Sequence, residues 1–232
     1  MTDMENYSLL AVSPVDGRYA RQTESLREYF SEYALIRYRV RVEIEYFIAL
    51  CRIPLPQLAD FDQTRFEALR DIYRKMTPED ASKVKDIEKV TNHDVKAVEY
   101  YIKDRFKEMG IMKWGEFVHF GLTSQDINNT SVPLSFKEAA EEVFMPLLTE
   151  VLGLIKSMAQ EWKDIPMLAK THGQPASPTR VGKEFNVFAV RLEEQVRQLS
   201  LLSYPAKFGG ATGNMNAHKK QGLRREPEGR KK

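Results

Sequence analysis

From about Gln125 to Trp162 the chain repeats apolar residues at helical intervals: Phe136, Ala140, Val143, Leu147, Val151, Leu154 and Met158. A helix over that span would be roughly 55 Å long at the usual rise per residue. That is longer than a compact monomer of this size needs. The stripe therefore predicts one of two things: a helix that continues into a subunit interface, or two ordinary helices separated at Pro146. A second stripe follows at Val181, Phe185, Phe188, Leu192, Val196 and Leu199. The connection between the two, "LAKTHGQPASPTR" at 168–180, is polar and longer than a plain helix-to-helix link requires. Two long helices joined by a histidine-bearing loop predict a helical bundle.

The chain ahead of this pair also reads as helix. Leu26, Tyr29, Phe30, Leu35, Ile36, Val40, Ile44 and Phe47 predict a helix from about Ser25 to Cys51, stopped by "IPLP". A further helix fits Thr64 to Met76. "TPED" opens another, with Thr77 as N-cap, Pro78 in the first turn and Asp80 at the third position. Val95, Val98, Ile102, Phe106 and Met109 form one more stripe, closed by Gly110 as its C-cap glycine. Residues 111–124 read as irregular. No alternating strand pattern exceeds a few residues. The fold class expected is all-α: an N-terminal helical domain over 1–112, then the first part of a long-helix bundle over 113–218.

Charge separates the remaining segment from this body. Residues 219–232, "KKQGLRREPEGRKK", hold seven basic and two acidic residues, so the preceding 218 sum to −3 although the whole chain is +2. The body lacks the basic face that nucleic-acid binding needs. The tail is expected to be disordered, with an electrostatic arm for nucleic acid or acidic surfaces as its functional alternative. No apolar run approaches the roughly 20 residues of a membrane span. The N-terminus lacks a basic-then-apolar signal, and Cys51 is the only cysteine, so a cytoplasmic protein without disulfides is expected.

Three polar segments interrupt the helical pattern: "NHD" at 92–94, "HFGLTSQD" at 119–126 and "THGQPASP" at 171–178. Each falls at or near the start of a predicted helix, where unpaired N–H groups and the helix dipole favour anions. Asn92, Asp94, Thr123, Ser124 and Ser177 are also N-cap residue types, and each taken singly favours that structural role. His93 and His172 are the candidates for proton transfer, because imidazole titrates near neutral pH. His119 and His218 gain no role from spacing. Metal-ligand spacing, a Gly-x-Ser-x-Gly elbow and a phosphate-binding glycine loop are all missing, and "FGGATGN" at 208–214 follows a helix rather than a strand. These residues define an anion-binding, histidine-containing site without defining a reaction.

The blocks "SPVDGRY" (13–19), "TNHDVKAVEYY" (91–101), "EFVHFGLTSQDINNT" (116–130), "DIPMLAKTHGQPASPT" (164–179) and "KFGGATGNMNAH" (207–218) resemble, in order and separation, those of the adenylosuccinate lyases. These belong to the fumarase/aspartase superfamily. The resemblance covers residues 7–218. It implies a homotetramer built on a central bundle of long helices, of which this chain carries a truncated part. It implies β-elimination of fumarate from adenylosuccinate to give AMP, and from the succinyl-carboxamide ribotide of purine synthesis, with no cofactor. On this resemblance His172 matches the general acid. Arg18 and Tyr19 match the nucleotide-binding pair, and Asn92, His93 and Asp94 a substrate-binding segment. Thr123, Ser124 and Thr171 match donors to the succinyl carboxylates.

The sequence also departs from the family. Its catalytic base is a serine in a loop resembling S-S-x-M-P-x-K-x-N-P, and no such segment occurs here. The expectation is that the 232-residue chain does not turn over by itself, and that the stripes at 136–158 and 181–199 lack their cover. Another fumarate-releasing lyase of the superfamily, such as one acting on argininosuccinate, and a non-catalytic oligomerisation or nucleotide-binding fragment remain as alternatives.

Overall fold

The structure is a computed structural model and describes residues 10–53 and 55–220. It contains α1 (Arg27–Phe30), α2 (Glu32–Arg52), α3 (Phe66–Arg74), α4 (Pro78–Thr91), α5 (Asp94–Glu108) and α6 (Ser124–Ala139). A π-helical turn, Ala140–Phe144, leads into α7 (Met145–Glu161). Strands β1 (Pro166–Thr171) and β2 (Gln174–Arg180) precede α8 (Val181–Ser200) and the short α9 (Asn216–Lys220). The chain forms two compact units, Met1–Lys137 with Pro205–Lys232, and Glu138–Tyr204. Of the tail expected to be disordered, residues 221–232 lie outside the described residues, and 219–220 close α9.

The first unit is built around α2, whose Val40, Ile44, Phe47 and Ile48 are buried almost completely. Val98, Ile102 and Phe106 of α5 pack against them, and the rings of Phe47 and Phe106 meet edge-on at 5.0 Å. The ends of these helices follow local chemistry. The helix expected from Ser25 onward is interrupted at Ser31, which adopts extended backbone and caps α2 by accepting from Ala34 N–H. Thr77 and Asp80 form a capping box at the start of α4, as the sequence predicts. At the end of α5, Gly110 N–H donates to Lys107 C=O and Ile111 N–H to Phe106 C=O, the paired bonds of a Schellman motif. Gly110 has φ +70, as that motif requires, and open space around its missing Cβ. The segment read as irregular contains a 3₁₀ helix, Met112–Phe117.

The second unit pairs α7 and α8 through a β-hairpin. Pro146 does not end the helical path. Phe144 and Met145, just before it, keep right-handed helical dihedrals, and the π-turn absorbs the change of register. Helix pairing depends on Gly182, where an added Cβ would lie 2.1 Å from Ala159 C=O and 2.6 Å from Lys163 N. Gly182 N–H donates to Trp162 C=O, and Trp162 packs edge-on against Phe185 at 4.8 Å.

One expectation is corrected here. The connection at 168–180 is not a loop within an otherwise all-helical chain but mainly an antiparallel hairpin, pairing Pro166 with Arg180 and Thr171 with Gln174. Pro175 and Pro178 hid it, since proline speaks against a strand. A two-stranded ribbon has only edge strands, where a proline nitrogen can face outward. On α7 much of the apolar stripe is uncovered, in keeping with the expectation that the stripe at 136–158 lacks its cover. Leu147, Val151 and Leu154 are at least half exposed, while Leu148, Leu152, Ile155 and Ala159 are the more buried positions. The helix is apolar on both sides, so periodicity alone does not single out the packed one. On α8 the predicted stripe holds except at Phe188, which is exposed.

These contacts predict the outcome of two substitutions. Gly110→Ala costs about 1–2 kcal/mol in urea unfolding, because an L side chain is forced into left-handed backbone without a steric clash. Gly182→Ala costs about 3 kcal/mol by overpacking, and circular dichroism shows helix loss at a lower urea concentration.

Candidate active site

In the first unit the site is assembled where two helices begin. Asn92 ends α4 in left-handed backbone at φ 52, donating its N–H to Glu88 C=O. It is thus a C-cap, not the N-cap its residue type suggests. His93 is the N-cap of α5: its Nδ1 accepts the Lys96 N–H at 3.1 Å. An accepting Nδ1 leaves the proton of the neutral ring on Nε2. That nitrogen lies 3.3 Å from Ser124 Oγ, on the first residue of α6. The structure therefore brings together two blocks that are 31 residues apart in sequence.

Asp94 is the first residue of α5, not a cap. One carboxylate oxygen accepts from Val95 N–H at 2.8 Å and the other from Arg39 at 2.7 Å. Burial pushes its carboxyl up, but the Val95 N–H and the Arg39 guanidinium outweigh that and hold it below the usual carboxylate range. Arg39 is itself buried and also donates to Asn128 Oδ1 at 2.9 Å, so one guanidinium joins α2, α5 and α6.

Thr123 stands just before α6 and is held by Asp126. The Asp126 carboxylate accepts from Thr123 N–H at 2.9 Å, from Gly209 N–H at 3.0 Å, from Gly210 N–H, and from the Lys207 ammonium at 2.8 Å. Its side chain is 1% exposed. Burial raises its pKa, yet Lys207 and these N–H donors outweigh burial and keep it below the usual range. The glycine-rich segment is thereby pinned to the start of α6. Gly210 and Gly213 take positive φ there.

His119, given no role by spacing, sits in the segment that leads into α6, in left-handed backbone at φ 60. Its Nδ1 lies 2.5 Å from Glu43 Oε1, and its N–H donates to Glu43 Oε2 at 3.1 Å. Arg18 and Tyr19 lie in a run of turns over residues 13–23, with the guanidinium 5.3 Å from the Tyr19 ring centre.

Thr171 and His172 belong to the second unit. Thr171 ends β1, and His172 with Gly173 forms the two-residue tip of the hairpin. Both tip residues have positive φ, 48 and 75, the pattern of a type I′ turn. His172 is exposed. Ser177 lies within β2 and caps nothing, so the third polar segment does not open a helix directly as the other two do.

Sequence reasoning missed Arg39, Glu43, Asp126 and Lys207. A signal existed for two of them. Arg39 and Glu43 lie one helical turn apart within the stripe Ile36, Val40, Ile44, Phe47, and charges on a core-facing stripe require partners. Among the described residues no three His, Cys, Asp or Glu side chains gather as a metal site would require. Among the same residues no helix is long and apolar enough to cross a membrane.

Comparison with known proteins places this geometry. The sequence profile of the family described as Lyase matches residues 17–224, and the chain belongs to that family. It is 54% identical over 224 residues to the adenylosuccinate lyase of Dictyostelium discoideum, covering 94% of this chain and 48% of that protein. It is 44% identical over 217 residues to the adenylosuccinate lyase of Escherichia coli K12, covering 93% and 48%. The chain thus spans about half the length of the curated relatives it matches, and the resemblance read from its blocks holds. Its fold is like that of a fumarate lyase from Mesorhizobium sp. BNC1, with TM-score 0.68, 21% identity, and 86% and 45% of the two chains covered. It is also like β-carboxy-cis,cis-muconate cycloisomerase from Acinetobacter calcoaceticus, with TM-score 0.65, 23% identity, and 86% and 46% covered. These two likenesses establish the predominantly helical fold.

The buried carboxylate yields a pH prediction. A group whose folded pKa is depressed contributes stability that is complete above its unfolded pKa, near 4, and is lost as pH falls through the folded value. Asp126→Ala should cost about 3 kcal/mol in urea unfolding at pH 7. The gap from the unsubstituted protein should narrow below about pH 4. An equal gap at pH 7 and pH 3 would show that the carboxylate charge contributes nothing.

Proposed function

We propose that this chain supplies the N-terminal portion of a C–N lyase that releases fumarate from adenylosuccinate, leaving AMP, and from the succinyl-carboxamide ribotide of purine synthesis. The observation that carries the reading is the His93–Ser124 contact at two helix N-termini, formed by the blocks that match adenylosuccinate lyases. In the proposed reaction a base takes the proton from the carbon beside a succinyl carboxylate. The C–N bond breaks, its electron pair goes to the departing nitrogen, and an acid protonates that nitrogen. His172 is the proposed acid. Thr123, Ser124 and Thr171 are proposed donors to the succinyl carboxylates, where negative charge builds in the transition state. Asn92, His93 and Asp94 bind the substrate, and Arg18 with Tyr19 takes the nucleotide phosphate. No cofactor enters the proposal.

The serine-bearing loop of the family has no counterpart in these 232 residues. The proposed complete enzyme is a cytoplasmic homotetramer. Its further helices and neighbouring subunits would cover the exposed apolar faces marked by Leu147, Val151, Leu154 and Phe188.

Fumarate release from adenylosuccinate tests this directly. The 232-residue chain alone is expected to give none. A chimera carrying the C-terminal half of the Dictyostelium relative is expected to turn over, with kcat falling at least about 100-fold on His172→Ala. Near-normal turnover by that variant would remove the acid assignment, and an inactive parent chimera would count against the reaction itself.

A further inference from the structure

Arg39 places a positive charge inside the first unit, with its side chain only 8% exposed. Taking a guanidinium out of water is costly, and an apolar side chain would fill such a position more simply. Its hydrogen bonds reach two other helices. Nε donates to Asn128 Oδ1 at 2.9 Å, in the second turn of α6. A terminal nitrogen donates to Asp94 Oδ2 at 2.7 Å, at the first position of α5. Both acceptors adjoin the His93–Ser124 contact. Asp94 follows His93 in the chain, and Asn128 stands one turn beyond Ser124 on the same face of α6. The two links, His93 to Ser124 and Asp94 through Arg39 to Asn128, are therefore adjacent rungs between α5 and α6.

We propose that Arg39 is a positioning residue for the proposed reaction, holding Asp94 and Asn128 in one fork so that the start of α5 is fixed against α6 and the His93 ring is aimed at Ser124. The inference rests on the reading of the His93–Ser124 region as a substrate site. Arg39 acts through Asp94 and His93 and needs no contact with the ligand. The guanidinium suits the task because its donors lie in one plane at fixed angles, whereas an ammonium is a point charge on a flexible stem. The ion pair has a second effect. A helix start favours an anion, but the Asp94 side chain stands at this one 43% exposed, and its carboxylate would repel an incoming dicarboxylate. Arg39 offsets that charge from the buried side. A lysine at this position keeps the charge and loses the fork, so it isolates the geometric role.

Amide and imidazole NMR of the ¹⁵N-labelled 232-residue chain, titrated with fumarate, tests the assignment. Fumarate is expected to shift the Ser124 amide together with the His93 ring nitrogens. Arg39→Lys should weaken fumarate binding by about tenfold, the worth of one charge-assisted hydrogen bond. It should also displace the His93 ring signals before any fumarate is added. Asn128→Ala removes one of the two acceptors and should do the same. The double variant should bind no more weakly than Arg39→Lys alone, and that non-additivity separates positioning from a general loss of stability. If Arg39→Lys does not fold, Asn128→Ala, which leaves the Arg39–Asp94 pair intact, must still displace the His93 signals and weaken binding. A folded Arg39→Lys with the parent's fumarate affinity and unmoved His93 signals would overturn the proposal and leave the site reading intact. No response of the parent chain to fumarate at His93 or Ser124 would remove both.

Discussion

A charge taken out of water must find partners, and in this protein the partners of three buried charges define the candidate site. Arg39, Glu43 and Asp126 are each almost fully buried. Each reaches a segment distant in sequence: Arg39 the starts of α5 and α6, Glu43 the loop at His119, Asp126 the glycine segment at 209–210. Apolar packing of α2 against α5 supplies the bulk of the first unit's core, but apolar contacts are tolerant of small displacements. Bidentate and charge-assisted hydrogen bonds are not, and they set where the loops lie.

This arrangement explains why polar segments interrupt a helical chain. Polar residues cap the start of α5, and the Arg39 guanidinium holds that start near α6. His93 serves two ends at once: its Nδ1 caps α5, and its Nε2 meets Ser124. The capping reading and the functional reading of this residue are therefore not alternatives, because the cap is what aims the ring. In the second unit, the positive φ values of His172 and Gly173 put a histidine at the tip of a two-stranded ribbon, where it is exposed.

Much of the helical framework was legible in the sequence because capping chemistry is local. Thr77 with Asp80, and Gly110, act through neighbours within a few residues. The hairpin was not legible, since the prolines of its strands mask strand character that only pairing reveals. The packed face of α7 was not legible either, because Leu147 and Leu148 are equally apolar and only one of them turns toward α8. The positions of His93 and Ser124 in matching blocks pointed to a site, but their contact depends on Arg39, Asp94 and Asn128, which no short-range pattern links. Glu43 could have been flagged as a charge on a core stripe. Its partner 76 residues away could not.

The most direct test of the account is native-state hydrogen exchange at the amides of His119, Thr123, Gly209 and Gly210. All four lie outside helices and strands, and all four donate to a buried carboxylate. If buried charges fix the site, these amides exchange at neutral pH as slowly as those of the helices flanking them. Exchange at the rate of an unstructured chain would show that the loops are not pinned, and that the site is not preformed by this network.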